Sequence, residues 1–203
     1  MRQLQLFINR VLHLFEIRRI NAKQDAVYLT FDDGPEPGIT EFVLEELGKY
    51  QFKATFFCRG DNAEKYPDLL KRITEEGHVL GNHTYSHINS FDTPTAEYAA
   101  DVERANLVLN TKLFRPPWGS ITLSAFIRLV KKYRFVYWSL TSGDTGLQSF
   151  NKKRAFERIT RDTQTGDVVL FHCCQKHAKE TKQLLPDYLE WLSVKGYHSE
   201  VIR

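Results

Sequence analysis

The chain has 203 residues, of which 42% are hydrophobic, 13% aromatic and 26% charged. That is the composition of one ordinary globular domain, and it excludes a disordered chain, a collagenous repeat and a coiled coil. The 28 Lys and Arg nearly balance 25 Asp and Glu, and a net charge of +3 without a basic cluster argues against a nucleic-acid partner.

At the start, Leu4, Leu6, Phe7, Ile8, Val11, Leu12, Leu14 and Phe15 are apolar, but Asn9, Arg10 and His13 interrupt them. The run is too short for a signal-peptide core or a membrane span. Residues 1–22 are therefore expected to form an amphipathic helix packed on a domain of residues 23–203. A peripheral membrane contact, aided by Arg2, Arg10, Arg18 and Arg19, is the alternative. On this reading a cytoplasmic setting is the default and the cell envelope the alternative. Three cysteines, two of them adjacent (Cys173, Cys174), imply no disulfide framework and read as free thiols in a reducing compartment.

Further along, short apolar, β-branched and aromatic runs alternate with stretches of helical period. The expected strands are 26–31, 54–58, 78–81, 113–115, 135–140, 168–172 and 197–202. The expected helices are 40–50, 63–76 (ending against Gly77), 95–110 (after Thr93-Pro94), 123–132, 152–163 and 179–195. Strands separated by helices pair in parallel, as an open doubly wound sheet or a closed barrel; the pattern leaves that choice open. In both architectures the loops at the carboxyl ends of the strands converge on one site. Polar clusters stand at just those places: Thr30 to Pro35, Asn82 to His87, Arg115 to Gly119, Asp144 and His172.

Adjacent carboxylates at a strand end, Asp32 and Asp33, repel each other. They read either as a solvated turn before Gly34-Pro35 or as a pair that needs a cation, one ligating it and the other free as a base. His83 and His87, four apart, suit chelation on one side of a helical turn; Thr84 stands where a helical zinc protease has Glu. Imidazole with carboxylate favours zinc or a similar transition metal. In Arg115-Pro116-Pro117-Trp118-Gly119 the prolines stiffen a loop and the Arg fork is able to hold a carboxylate. Taken singly, Asp144 reads as a turn residue and His172 as a hydrogen-bonded core histidine.

Together, and in this order, these segments resemble the polysaccharide deacetylases, carbohydrate esterase family 4, also called NodB-homology domains. The resemblance spans about residues 27–202. It implies an α/β fold, a distorted (β/α) barrel of seven or eight mostly parallel strands in a single domain. It implies one divalent metal, zinc or cobalt, held by Asp33, His83 and His87. By motif match Asp32 is the base and Arg115 tethers it. His172 is the acid, tuned by Asp144. The main chain at Trp118, after Pro117, stabilises an oxyanion, and Leu170 lines an acetyl pocket. The chemistry agrees: zinc lowers the pKa of water from 15.7 to about 7, worth roughly 12 kcal/mol of acidity.

The resemblance implies hydrolysis of N-acetyl groups on an N-acetylglucosamine-containing glycan such as chitin, a chito-oligosaccharide or peptidoglycan. An O-acetyl esterase and a catalytically silent glycan-binding domain are the alternatives. Two positions depart from the family pattern. Thr145 replaces a Trp that walls the acetyl pocket, leaving that wall open or supplied from elsewhere. Cys173 replaces an Asp after the acid histidine, and burial of both thiols as small apolar residues is expected.

Overall fold

The computed structural model describes residues 16–22, 25–145 and 150–203. The strands are β1 (Glu16–Ile17), β2 (Ala26–Asp32), β3 (Ala54–Cys58), β4 (Val79–Asn82), β5 (Leu113–Phe114), β6 (Arg134–Val136), β7 (Leu140–Thr141), β8 (Val168–His172) and β9 (His198–Ser199). The α-helices are α1 (Thr40–Lys49), α2 (Gly60–Lys65), α3 (Pro67–Glu75), α4 (Thr95–Leu109), α5 (Leu123–Leu129), α6 (Lys152–Asp162) and α7 (Ala178–Val194), with 3-10 turns at Pro117–Gly119 and Gln175–His177. No helix among the described residues is long and apolar enough to cross a membrane.

All strand pairs are parallel, in the order β1-β6-β5-β4-β3-β2-β8-β7, with β9 beside the start of β2. The sheet curls until its two edges are bridged by chain. The Tyr137 N–H donates to the Ile17 carbonyl at 2.8 Å, and two residues on the Ser139 N–H donates to Val168 at 3.0 Å. The expected strand 135–140 is thereby split in two, since residues 137–139 cross from the β6 edge to the β8 edge. The expected distorted barrel is what forms, with a seam in place of a closed ladder.

Two more elements differ from expectation. The helix expected at 63–76 is two helices, because the residue before a proline avoids the α region, and Tyr66 (φ −126°, ψ 61°) breaks it before Pro67. Glu16–Ile17 pairs as a strand with β6 where a helix was expected to run to residue 22. The rest of that helix falls on residues 1–15, outside the described residues.

The strands alternate strictly between two cores, as a period of two requires. Val27, Leu29 and Phe31 of β2, Ala54, Phe56 and Cys58 of β3, and Val169 and Phe171 of β8 face the surrounding helices. Phe31 stacks between Phe56 and Phe171 at ring distances of 5.1 and 5.8 Å. The opposite faces fill the barrel, with Tyr28, Phe57, Leu113, Val136, Val168 and Ile202 packed together inside. Glycine is required at position 81, where a Cβ would lie 2.3 Å from the Phe57 ring. On this apolar plug sits Arg115, fully buried, with its guanidinium 4.1 Å from the Phe57 ring centre. Above it the interior turns polar.

Candidate active site

The guanidinium of Arg115 donates four hydrogen bonds. Nε goes to the Val136 carbonyl (3.0 Å), Nη2 to the Tyr137 carbonyl (2.8 Å), and Nη1 to Thr30 Oγ1 (2.9 Å) and Asp32 Oδ1 (2.6 Å). Burial pulls the Arg115 pKa down, against the opposing charge and hydrogen bond of Asp32. Asp32 ends β2 beside His172 of β8 in the register, with only 3% of its surface exposed. Its second oxygen, Oδ2, lies 3.8 Å from His83 Nε2.

The next residue, Asp33, has a left-handed backbone (φ 75°) that turns its carboxylate toward the two histidines. Asp33 Oδ1 is 3.5 Å from His83 Nε2 and 3.2 Å from His87 Nε2, yet it is buried and accepts no hydrogen bond. The three ligand atoms lie within 4.8 Å of one another. His83 Nδ1 lies 2.7 Å from the Arg115 carbonyl. A carbonyl only accepts, so Nδ1 carries the proton and the neutral ring aims its Nε2 lone pair at Asp33. Burial holds the His83 pKa low, against the attraction of Asp32 and Asp33. For Asp33, burial pushes the pKa up, but contact with His87 and the charges of His83, His172 and His87 bring it well below the ordinary carboxylate value. A lone pair facing an orphaned carboxylate oxygen is unfavourable unless a cation lies between them. The donor set fits a divalent metal of the zinc type.

His83 and His87 are not carried by a helical turn, as their spacing suggested. They flank a loop in which Thr84 (φ 64°) and His87 (φ 55°) are left-handed. Asp101 of α4 braces that loop: its Oδ1 accepts from the Tyr85 and Ser86 N–H groups at 2.7 and 3.1 Å, and its Oδ2 accepts from Ser86 Oγ at 2.9 Å. Sequence reading missed Asp101, whose only signal is an acid on the inner side of a helix.

Across the cleft, His172 Nδ1 bonds to Asp144 Oδ1 at 2.9 Å. Asp144 is fully buried, and its Oδ2 accepts from the His172 N–H (2.7 Å) and from Thr181 Oγ1 (3.0 Å). Thr181 also went unnoticed in the sequence. Burial alone would lower the His172 pKa, but the hydrogen bond and charge of Asp144, with the charges of Asp32 and Asp33, raise it to about 9. The imidazole is therefore cationic at neutral pH.

All these groups open into one cleft of about 400 Å3, walled in addition by Trp118, Trp138, Thr141, Thr145 and Leu170. Trp118 is 59% exposed, with its ring edge-on to His87 at 4.4 Å, so it stands at the mouth of the cleft. Its φ of 56° turns the peptide after Pro117 in a tight 3-10 turn. Pro117 itself is buried. Beside Thr145, where the family pattern has Trp, the half-buried Trp138 supplies an indole wall. Gly119 makes room for it, because a Cβ there would lie 2.6 Å from that ring. Cys173 is buried against Thr40, away from the cleft, whereas the Cys174 thiol donates to Asp33 Oδ2 at 3.6 Å. All three cysteines are free thiols.

Comparison with known proteins agrees with this arrangement. The polysaccharide deacetylase family model matches residues 19–138. A peptidoglycan-N-acetylglucosamine deacetylase of Bacillus cereus is 35% identical over 84% of this chain, which spans 64% of that protein's length. The peptidoglycan-N-acetylmuramic acid deacetylase PdaA of Bacillus subtilis is 30% identical, with 87% of this chain and 70% of that protein covered. The crystal structure of the Bc1960 peptidoglycan N-acetylglucosamine deacetylase superposes with a TM-score of 0.87 at 30% identity, covering 95% of this chain and 92% of that one. With a family match over more than half its length and a shared curled barrel, this chain belongs to the polysaccharide deacetylases of carbohydrate esterase family 4.

Proposed function

We propose that the protein is a metal-dependent hydrolase that removes N-acetyl groups from the amino sugars of a glycan, releasing acetate. One observation carries the reading. The Asp33, His83 and His87 donors share a single cleft with two separately anchored proton carriers, Asp32 on Arg115 and His172 on Asp144. The relatives named as peptidoglycan deacetylases support the substrate class.

In this reading Asp33, His83 and His87 hold zinc. When bound, the metal supplies Lewis acidity, polarising a carbonyl and bringing the pKa of water from 15.7 to about 7. Asp32 accepts the proton of the attacking water on Oδ2, while Arg115 keeps Oδ1 engaged and the carboxylate ionised. The main-chain N–H at Trp118 donates to the oxygen of the tetrahedral carbon. His172 delivers a proton from Nε2 to the departing amine, and its Nδ1 bond to Asp144 fixes the ring in that orientation. Leu170, Trp138 and Pro117 bound the space for the acetyl methyl.

The test is acetate release from N-acetylglucosamine oligomers, with a chelator and with zinc or cobalt restored. Release that stops on chelation and returns with metal is the expected result. Release from O-acetyl esters alone would make the protein an esterase, and no release with any metal would make it a silent glycan binder.

A further inference from the structure

The 3-10 turn Gln175–His177 places two side chains in the cleft that the proposed reaction does not use. His177 is 8% exposed and stands 5.1 Å from the His172 ring, centre to centre. Among the described residues no hydrogen bond reaches either of its ring nitrogens. A core histidine that served only packing would normally be bonded, so these nitrogens face the cleft without a partner. Lys176, exposed beside it, makes no ion pair or hydrogen bond among the described residues. Every other charge in the cleft is matched: Asp32 by Arg115, Asp144 by His172, and Asp33 by the histidines. The turn is held firmly, since the Gln175 N–H donates to Glu36 Oε2 at 2.7 Å and Gln175 Nε2 to the Pro37 carbonyl.

Which part of a substrate meets this corner follows from connectivity. If His172 faces the acetamido nitrogen on C2 of the sugar, groups beyond His172 meet what hangs on C1 or C3. In a chain C1 is taken by the glycosidic bond, so C3 is the position free to carry a variable group. We infer that Lys176 and His177 form a subsite for a carboxylate-bearing substituent on C3, making a 2-acetamido sugar with an acidic ether at that position the favoured substrate. Lys176 supplies the charge, and His177, kept largely neutral by burial and by the His172 charge, supplies one directed N–H. The inference rests on the deacetylase reading above.

Three oligosaccharides that differ only at C3 test it: a free hydroxyl, an O-linked lactic acid, and the methyl ester of that acid. The free acid should exceed the other two about tenfold in kcat/KM, carried by KM, as one charge-assisted hydrogen bond at an open site allows. Lys176→Gln should abolish that ratio, and His177→Gln should reduce it. Equal kcat/KM for acid and ester in the wild type, or a Lys176→Gln variant that keeps the ratio, would overturn the subsite while leaving the deacetylase reading intact. Should no glycan be deacetylated, the deacetylase reading fails instead. Calorimetry on Asp32→Asn then decides the subsite, through a tenfold difference in Kd between acid and ester or its absence.

Discussion

Replacing Arg115 by Met removes four hydrogen bonds at a stroke and leaves their acceptors inside the barrel. The side chain volume is nearly kept, so no large cavity opens above Phe57. What remains is the Asp32 carboxylate, almost fully buried, without its counter-charge, together with two carbonyls and the Thr30 hydroxyl. Breaking a buried pair from one side costs about 3–5 kcal/mol. Relief from burying the guanidinium offsets part of the orphaned-acceptor cost, so we expect a net loss of about 4 kcal/mol. For a chain of this size that is a fall in Tm of about 10 °C. Asp32→Asn alone should cost about 1–2 kcal/mol, since the amide oxygen still accepts from Nη1. The double variant Asp32→Leu/Arg115→Met should recover stability relative to Arg115→Met, because no charge is then stranded. Urea unfolding in chelator, which keeps metal binding out of the balance, measures all three. A loss below about 1 kcal/mol for Arg115→Met, or no recovery in the double variant, would refute the view that Asp32 depends on this arginine.

Four further outcomes are expected. Asp33→Ala and His83→Ala should lose tightly bound zinc in elemental analysis, whereas Asp32→Asn should keep it while turnover vanishes; the reverse pattern would exchange the base and the ligand. Asp144→Asn should move the alkaline limit of kcat to lower pH, since the Asp144 charge holds the His172 pKa up at about 9 and the acid must be protonated below that limit; an unmoved limit would assign the proton to another group. His78 accepts the Ala54 N–H on Nδ1 at 3.1 Å, and burial with the Lys53 charge lowers its pKa from 6.5 to about 4. Its contribution is complete above pH 6.5 and is lost as pH falls toward 4, by about 3 kcal/mol at most; His78→Gln should flatten the acid limb of stability in urea titrations at pH 4–7. Gly119→Ala forces a Cβ against Trp138 at φ 65°, so it should cost about 1–3 kcal/mol and raise KM for acetylated substrate, and a silent substitution would remove Trp138 from the pocket wall.

Strands β2, β3 and β8 were legible because both of their faces are buried, which writes an unbroken apolar run ended by a polar residue at the site. The metal donors and the two proton carriers were legible for a related reason: in a parallel barrel the chemistry must sit at strand ends, and the motifs mark those ends. The three-dimensional fold alone decided everything that depends on contacts between distant segments. The seam that splits β6 from β7 exists because the sheet curls far enough for residues 137–139 to span its edges, and a local window carries no trace of that. Asp101 bracing the histidine loop, Thr181 on Asp144, Trp138 standing in for a missing wall and the unpartnered His177 are likewise set by packing across the chain. Alternation and motif order report what a residue's own strand requires, whereas partner choice is fixed only when helices and loops from elsewhere close around it.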